Sequence, residues 1–158
     1  MGYTHRWSID RKFTDAEWLD IMENSAKILS AAIKSGIKLA WEYDRPDRKP
    51  QVDMFNLRFN GIGDEGHETF CPVNAATEFD FCKTNRNDYD VPVVAVLMYM
   101  RHRVPEFSWR SDGWIAEHAD GLKLLNEACG LDLAISNVDE AQDNDPDLEK
   151  QKEYYNDK

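Results

Sequence analysis

Aromatic and polar residues alternate from Tyr3 to Ile9, the period of a β-strand with one buried face. The period then changes. Thr14 is a good N-cap with Glu17 three residues on, and Phe13 and Trp18 occupy the two positions of a hydrophobic staple. Trp18, Ile21, Met22, Ile28, Leu29, Ala32 and Ile33 follow helical spacing up to Gly36, a natural stop. Residues 37–43 read as a short strand and residues 44–50, with two prolines, as a charged loop. Residues 52–59 alternate again. The turn-rich run 60–66 should fold them back as a hairpin onto a strand at 67–73. Residues 79–83 form a further strand, with Phe79 and Phe81 on one face and Asp80 and Cys82 on the other.

Asp88 or Asp90 is expected to cap the next helix, whose body is apolar from Val91 to Met100 and should be the most buried element. Pro105 ends it, and residues 107–110 make a last edge strand. The Ser111-Asp112-Gly113 turn then caps a helix with the stripe Ile115, Ala119, Leu122, Leu125 and Cys129, stopped by Gly130. Trp18, Trp41, Phe55, Leu57 and Phe59 are assigned to the core. The fold class expected is α+β, a mostly antiparallel sheet packed by about three helices. Residues 1–137 form one globular domain and residues 138–158 an acidic, disordered tail.

Composition adds bounds rather than chemistry. The 158 residues are 42% hydrophobic and carry a net charge of −11. Residues 139–158 hold eight carboxylates against three lysines, so −5 belongs to the tail and −6 to the rest. Nucleic-acid binding through phosphate neutralisation is therefore unexpected. The longest apolar run is ten residues, too short to cross a bilayer, and the start of the chain has no secretory pattern. A cytoplasmic protein with Cys71, Cys82 and Cys129 reduced is the expectation.

One series of motifs carries a resemblance. Gly2-Tyr3-Thr4-His5-Arg6-Trp7, Phe59-Asn60-Gly61, His67-Glu68-Thr69-Phe70, Phe79-Asp80-Phe81-Cys82-Lys83-Thr84, Tyr89-Asp90 and Ser111-Asp112-Gly113-Trp114 stand in order along the chain. Together they resemble a family of small uncharacterised proteins found in bacterial genomes and phages, over roughly residues 2–130. The chain departs from it at Asp88, where that family often has proline. No activity is attached to the family. The resemblance implies domain limits and a phage or mobile-element setting, with a role against host or defence components, and no chemistry.

Several groupings bear on chemistry. His67-Glu68-Thr69-Phe70 lacks the second histidine of a zinc-protease signature. Cys82 with His67 is the combination that suggests nucleophilic catalysis, provided a base or cation lowers the thiol pKa. His5, His67, Cys71 and Cys82 are zinc-ligand types without paired spacing, so neither metal nor cofactor is expected. His102 and His118 fall on helices as bland surface or core histidines. Lys83, Thr84 and Arg86 stand just before a helix start, where free N–H groups favour anions. His5, Asn60, His67, Ser111 and Asp112 are expected to support that site, and Trp7, Trp109 or Trp114 to stack on a base.

Three readings stand open. The first is a non-catalytic protein, phage-derived, that captures an anionic or nucleotide-like ligand of host defence. The second is a Cys82/His67 hydrolase. The third is an inhibitor whose acidic surface docks on a host or defence protein.

Overall fold

A computed structural model describes residues 3–138 of the chain. The alternation at the start forms β1 (Thr4–Ile9), which buries Tyr3, His5, Trp7 and Ile9 on its inner face. It is the central strand of a three-stranded antiparallel sheet, between β4 (Thr77–Lys83) and β5 (Ser108–Ser111). His5 lies opposite Cys82 on one side and Ser111 on the other. A separate two-stranded ribbon joins β2 (Gln51–Val52) to β3 (Leu57–Arg58).

Helix α1 (Asp15–Lys34) starts on the anticipated box: the Thr14 hydroxyl accepts the Glu17 N–H, and the Glu17 carboxylate accepts the Thr14 N–H. Helix α2 (Asp90–Arg103) is apolar all round and buries every residue from Pro92 to Met100, because it packs against α1, β5 and α3 (Ala119–Cys129) together. A short turn of helix, α4 (Ile135–Val138), closes the described chain. These elements make an α+β fold with helices on one face of an antiparallel sheet. The other sheet face is open, with Phe79 and Phe81 exposed.

Val138, at the expected domain boundary, is buried, and its carbonyl accepts the indole N–H of Trp109. The rest of the acidic tail lies outside the described residues. No helix among the described residues is long and apolar enough to cross a membrane.

Several local expectations are corrected. Residues 37–43 and 67–73 do not form strands; each contributes one isolated bridge, Ala40–Asn60 and Phe59–Phe70. Residues 52–59 are not one strand, because Asp53 turns the chain by accepting the N–H groups of Phe55 and Asn56. Phe55 at the tip of that turn is 72% exposed rather than core. Neither Asp88 nor Asp90 caps α2; Tyr89 holds the N-cap position without a side-chain bond. Ser111-Asp112-Gly113 precedes a 3₁₀ turn (Ile115–His118), and α3 begins only after it.

Candidate functional site

The end of the sheet where β1 starts and β4 and β5 finish gathers the motif residues from all over the chain. At its centre Asp90, in the first turn of α2, accepts two hydrogen bonds on Oδ1. One comes from the Thr84 hydroxyl at 2.6 Å and the other from His5 Nε2 at 2.6 Å. A carboxylate offers only acceptors, so Nε2 is the donating nitrogen of His5 and Nδ1 is left over. Nδ1 is buried and has no hydrogen-bond partner among the described residues; the Tyr3 hydroxyl makes no hydrogen bond of good geometry, with the Ser111 hydroxyl close enough to lower its pKa slightly. Tyr3, Trp109 and His118 enclose the His5 ring, with centroids 5.1, 5.8 and 5.9 Å away. Burial, followed by the charge of Asp90, pushes the Tyr3 phenol well above its ordinary value. Arg6 Nε, Ser25 Oγ and Arg58 Nε are likewise buried without a partner among the described residues, but Tyr3 Oη and His5 Nδ1 belong to adjoining rings.

A tight turn leads from β4 into α2. Asn87 N–H bonds to the Thr84 carbonyl, and the two central residues, Asn85 and Arg86, both have φ of 56°. That left-handed conformation is strained by about 1–3 kcal/mol at each non-glycine residue. Arg86 is thereby placed over the Tyr3 ring, 4.2 Å from its centroid, and pairs with Glu117 at 3.1 Å. Both partners of that pair are exposed, and such surface pairs contribute about 0–1 kcal/mol. Arg86 is thus weakly fastened over Tyr3, on a strained turn. Glu117 also accepts the N–H of Trp114, whose ring is 57% exposed beside it.

Ser111 Oγ accepts the Gly113 N–H at 2.9 Å and lies 3.2 Å from His118 Nε2. Gly113 has no room for a side chain, since a Cβ there would fall on the Tyr3 hydroxyl and 2.7 Å from His118 Nε2. Asp112 pairs with Arg6, its carboxylate accepts the Thr4 N–H, and its own N–H donates to the Thr4 carbonyl.

A second part of the network holds the neighbouring loop. Asn60 is completely buried and fully used: it donates to the His67 carbonyl and Thr69 Oγ1 and accepts from Gly61 and His67 N–H groups. His67 Nδ1 donates to the Lys83 carbonyl at 2.9 Å, and Glu68 accepts the Lys83 N–H at 2.7 Å. A cavity of about 420 Å³ opens here among Tyr43, Asp64, His67, Glu68 and Asn85. Its two carboxylates make it a poor place for an anion.

Of the residues anticipated from sequence, His5, Thr84, Arg86 and Ser111 meet around Tyr3 and Asp90. Lys83 and Asp112 flank Thr4, but the Lys83 ammonium lies over Phe81 on the open sheet face and does not join the group around Tyr3. Asn60 and His67 build the adjoining loop. Cys82 is completely buried; its thiol donates to the Glu68 carbonyl at 3.4 Å, and burial, reinforced by Glu68, Asp90 and Asp80, pushes its pKa far up. That environment holds the sulfur as a neutral thiol, opposite to what a nucleophile needs. No group of three metal-ligating side chains comes together among the described residues.

Sequence reasoning missed Tyr3, His118 and the central role of Asp90. A signal existed for the first: Tyr3 and His5 occupy the face of β1 that Trp7 and Ile9 bury, so polar groups on that face need partners. Asp90 contacts His5 across 85 positions, which no local pattern displays. No family model matches this chain, and neither does any curated protein or solved structure.

Proposed function

We propose that this is a non-catalytic binding protein that captures a small anionic, nucleotide-like ligand at the Arg86 end of the sheet. The observation that carries the reading is the pair of orphaned buried atoms, Tyr3 Oη and His5 Nδ1, beneath a displaceable arginine. A ligand phosphate replaces Glu117 as the partner of Arg86, and Lys83, whose ammonium rests over Phe81, adds only longer-range positive charge. Lifting Arg86 exposes the Tyr3 hydroxyl to a ligand heteroatom, and the exposed Trp114 ring offers a face for a base. Binding is favoured over Cys82/His67 hydrolysis because the Cys82 thiol is buried among carboxylates.

The setting belongs to the same proposal. The resemblance to a bacterial and phage family supports a phage-derived protein acting in the cytoplasm by sequestering a nucleotide signal of host defence. A thermal-shift screen against nucleotides, cyclic nucleotides and divalent metals tests it. Stabilisation that grows with ligand concentration, and is lost in Lys83→Ala/Arg86→Ala, is the expected outcome. No shift with any compound, together with a salt-sensitive protein complex lost on deleting residues 139–158, would establish the protein-inhibitor reading instead.

A further inference from the structure

Away from the Arg86 site, the C-terminal half of α1, the chain that follows it and β2 enclose a groove of about 810 Å³. Ile37, Leu39, Val52 and Ile62 line it, together with Ile33, which is 50% exposed despite its apolar side chain. The volume falls in the range of small-molecule sites, roughly 300–1,000 Å³. The charged residues along it are Lys34, Lys38 and Lys49, and none of its lining residues is acidic. The lining is thus basic in a chain with 30 Asp and Glu against 19 Lys and Arg, with Glu65 and Asp88 confined to an adjoining cavity that Lys38 also borders. None of the three lysines forms an ion pair among the described residues.

The end of α1 does not cancel this charge. Three of its last four carbonyls are already engaged: Ala31 accepts from Ser35 N–H, Ala32 from the Ser35 and Ile37 N–H groups and Ser35 Oγ, and Ile33 from Gly36. The groove therefore presents an apolar floor with ammonium groups as its charged rim.

We propose that this groove binds a free long-chain fatty acid, the aliphatic chain lying on the apolar floor and the carboxylate held by the lysines. Charge complementarity selects an anionic head, and the apolar lining selects a hydrocarbon tail over a polar metabolite. The concave shape suits a single chain taken from solution rather than a lipid surface. The site is separate from the Arg86 end and does not depend on what binds there.

Fluorescence titration of the full chain with cis-parinaric acid, followed by displacement with oleate or oleyl alcohol below their aggregation limits, tests the inference. Expected are saturation at one probe per chain and displacement by oleate about tenfold or more better than by the alcohol. Lys34→Glu/Lys38→Glu should weaken oleate by a similar factor, both positions being solvent-exposed. Absence of saturable binding, equal displacement by acid and alcohol, or full affinity in the folded variant would overturn it. So would binding to anionic phospholipid vesicles without binding to monomeric oleate. Should the variant fail to fold, the acid-versus-alcohol comparison on the unmodified chain still decides.

Discussion

Asn85 and Arg86 share a backbone conformation that side chains avoid, and the surrounding hydrogen bonds hold them in it. Thr84 is fixed from both ends, its N–H on the Tyr3 carbonyl and its hydroxyl on Asp90, and Asn87 N–H closes the turn. Glycine at position 86 would relieve the strain and lose only a weak surface pair and a ring contact. Arg86→Gly is therefore expected to unfold at the same urea concentration as the parent or a higher one, while the ligand-dependent thermal shift disappears. A large loss of stability would show that Arg86 is a structural clamp rather than a cover. This part of the site was half legible in the sequence. Lys83, Thr84 and Arg86 were recognisable as polar groups before a helix, because that signal is local. The orphaned Tyr3 and His5 atoms were not, because only the folded sheet shows which donors and acceptors find partners.

Elements built on local chemistry could be read directly, and those built on long-range pairing could not. Helix α1 is the clear success, since its capping box needs only Thr14 and Glu17. The Arg11 guanidinium, helped by the Thr14 N–H, holds the Glu17 carboxyl down at about 2. A depressed carboxyl stabilises the fold fully above its unfolded value near 4.5 and progressively less as pH falls toward 2. Glu17→Gln keeps the capping geometry without the charge, so its melting temperature should lie below the parent's at pH 7. The gap should narrow as pH falls through this window; a gap independent of pH would refute the charge argument. The ribbon shows the opposite case. Alternation over residues 52–59 suited one strand, but Asp53 and Asn56 are turn residues at the two corners of a tight hairpin. Burial of α2 follows from its continuous apolar sequence, yet its closest approach to α3 was not foreseeable. A Cβ on Gly121 would lie 2.5 Å from Val94 Cγ1 and 2.8 Å from Val94 Cβ. In an open helix Gly→Ala stabilises by about 1 kcal/mol. Here Gly121→Ala should destabilise in urea unfolding, and adding Val94→Ala should recover part of the loss. A stabilised Gly121→Ala would mean that the two helices are not in close contact.

At the scale of the whole molecule, the fold separates regions of different charge that the net value of −11 conceals. One end of the sheet sets Arg86 over the buried Tyr3 phenol beside His5, and the α1 groove collects three lysines on an apolar floor. The fold class was legible in the sequence because strand and helix periods are local. The charge map was not, because Lys34, Lys38 and Lys49 come together only when the loop after α1 folds back. Capture of a nucleotide-like anion without turnover is the role proposed for the Arg86 end. Its most direct test is to incubate the purified chain with a stabilising nucleotide, separate the complex from free ligand, denature it and chromatograph what it held. Intact nucleotide at about one per chain is expected, and almost none with Arg86→Ala. Recovery of a cleaved product would contradict the claim, as would equal retention by the Arg86→Ala protein.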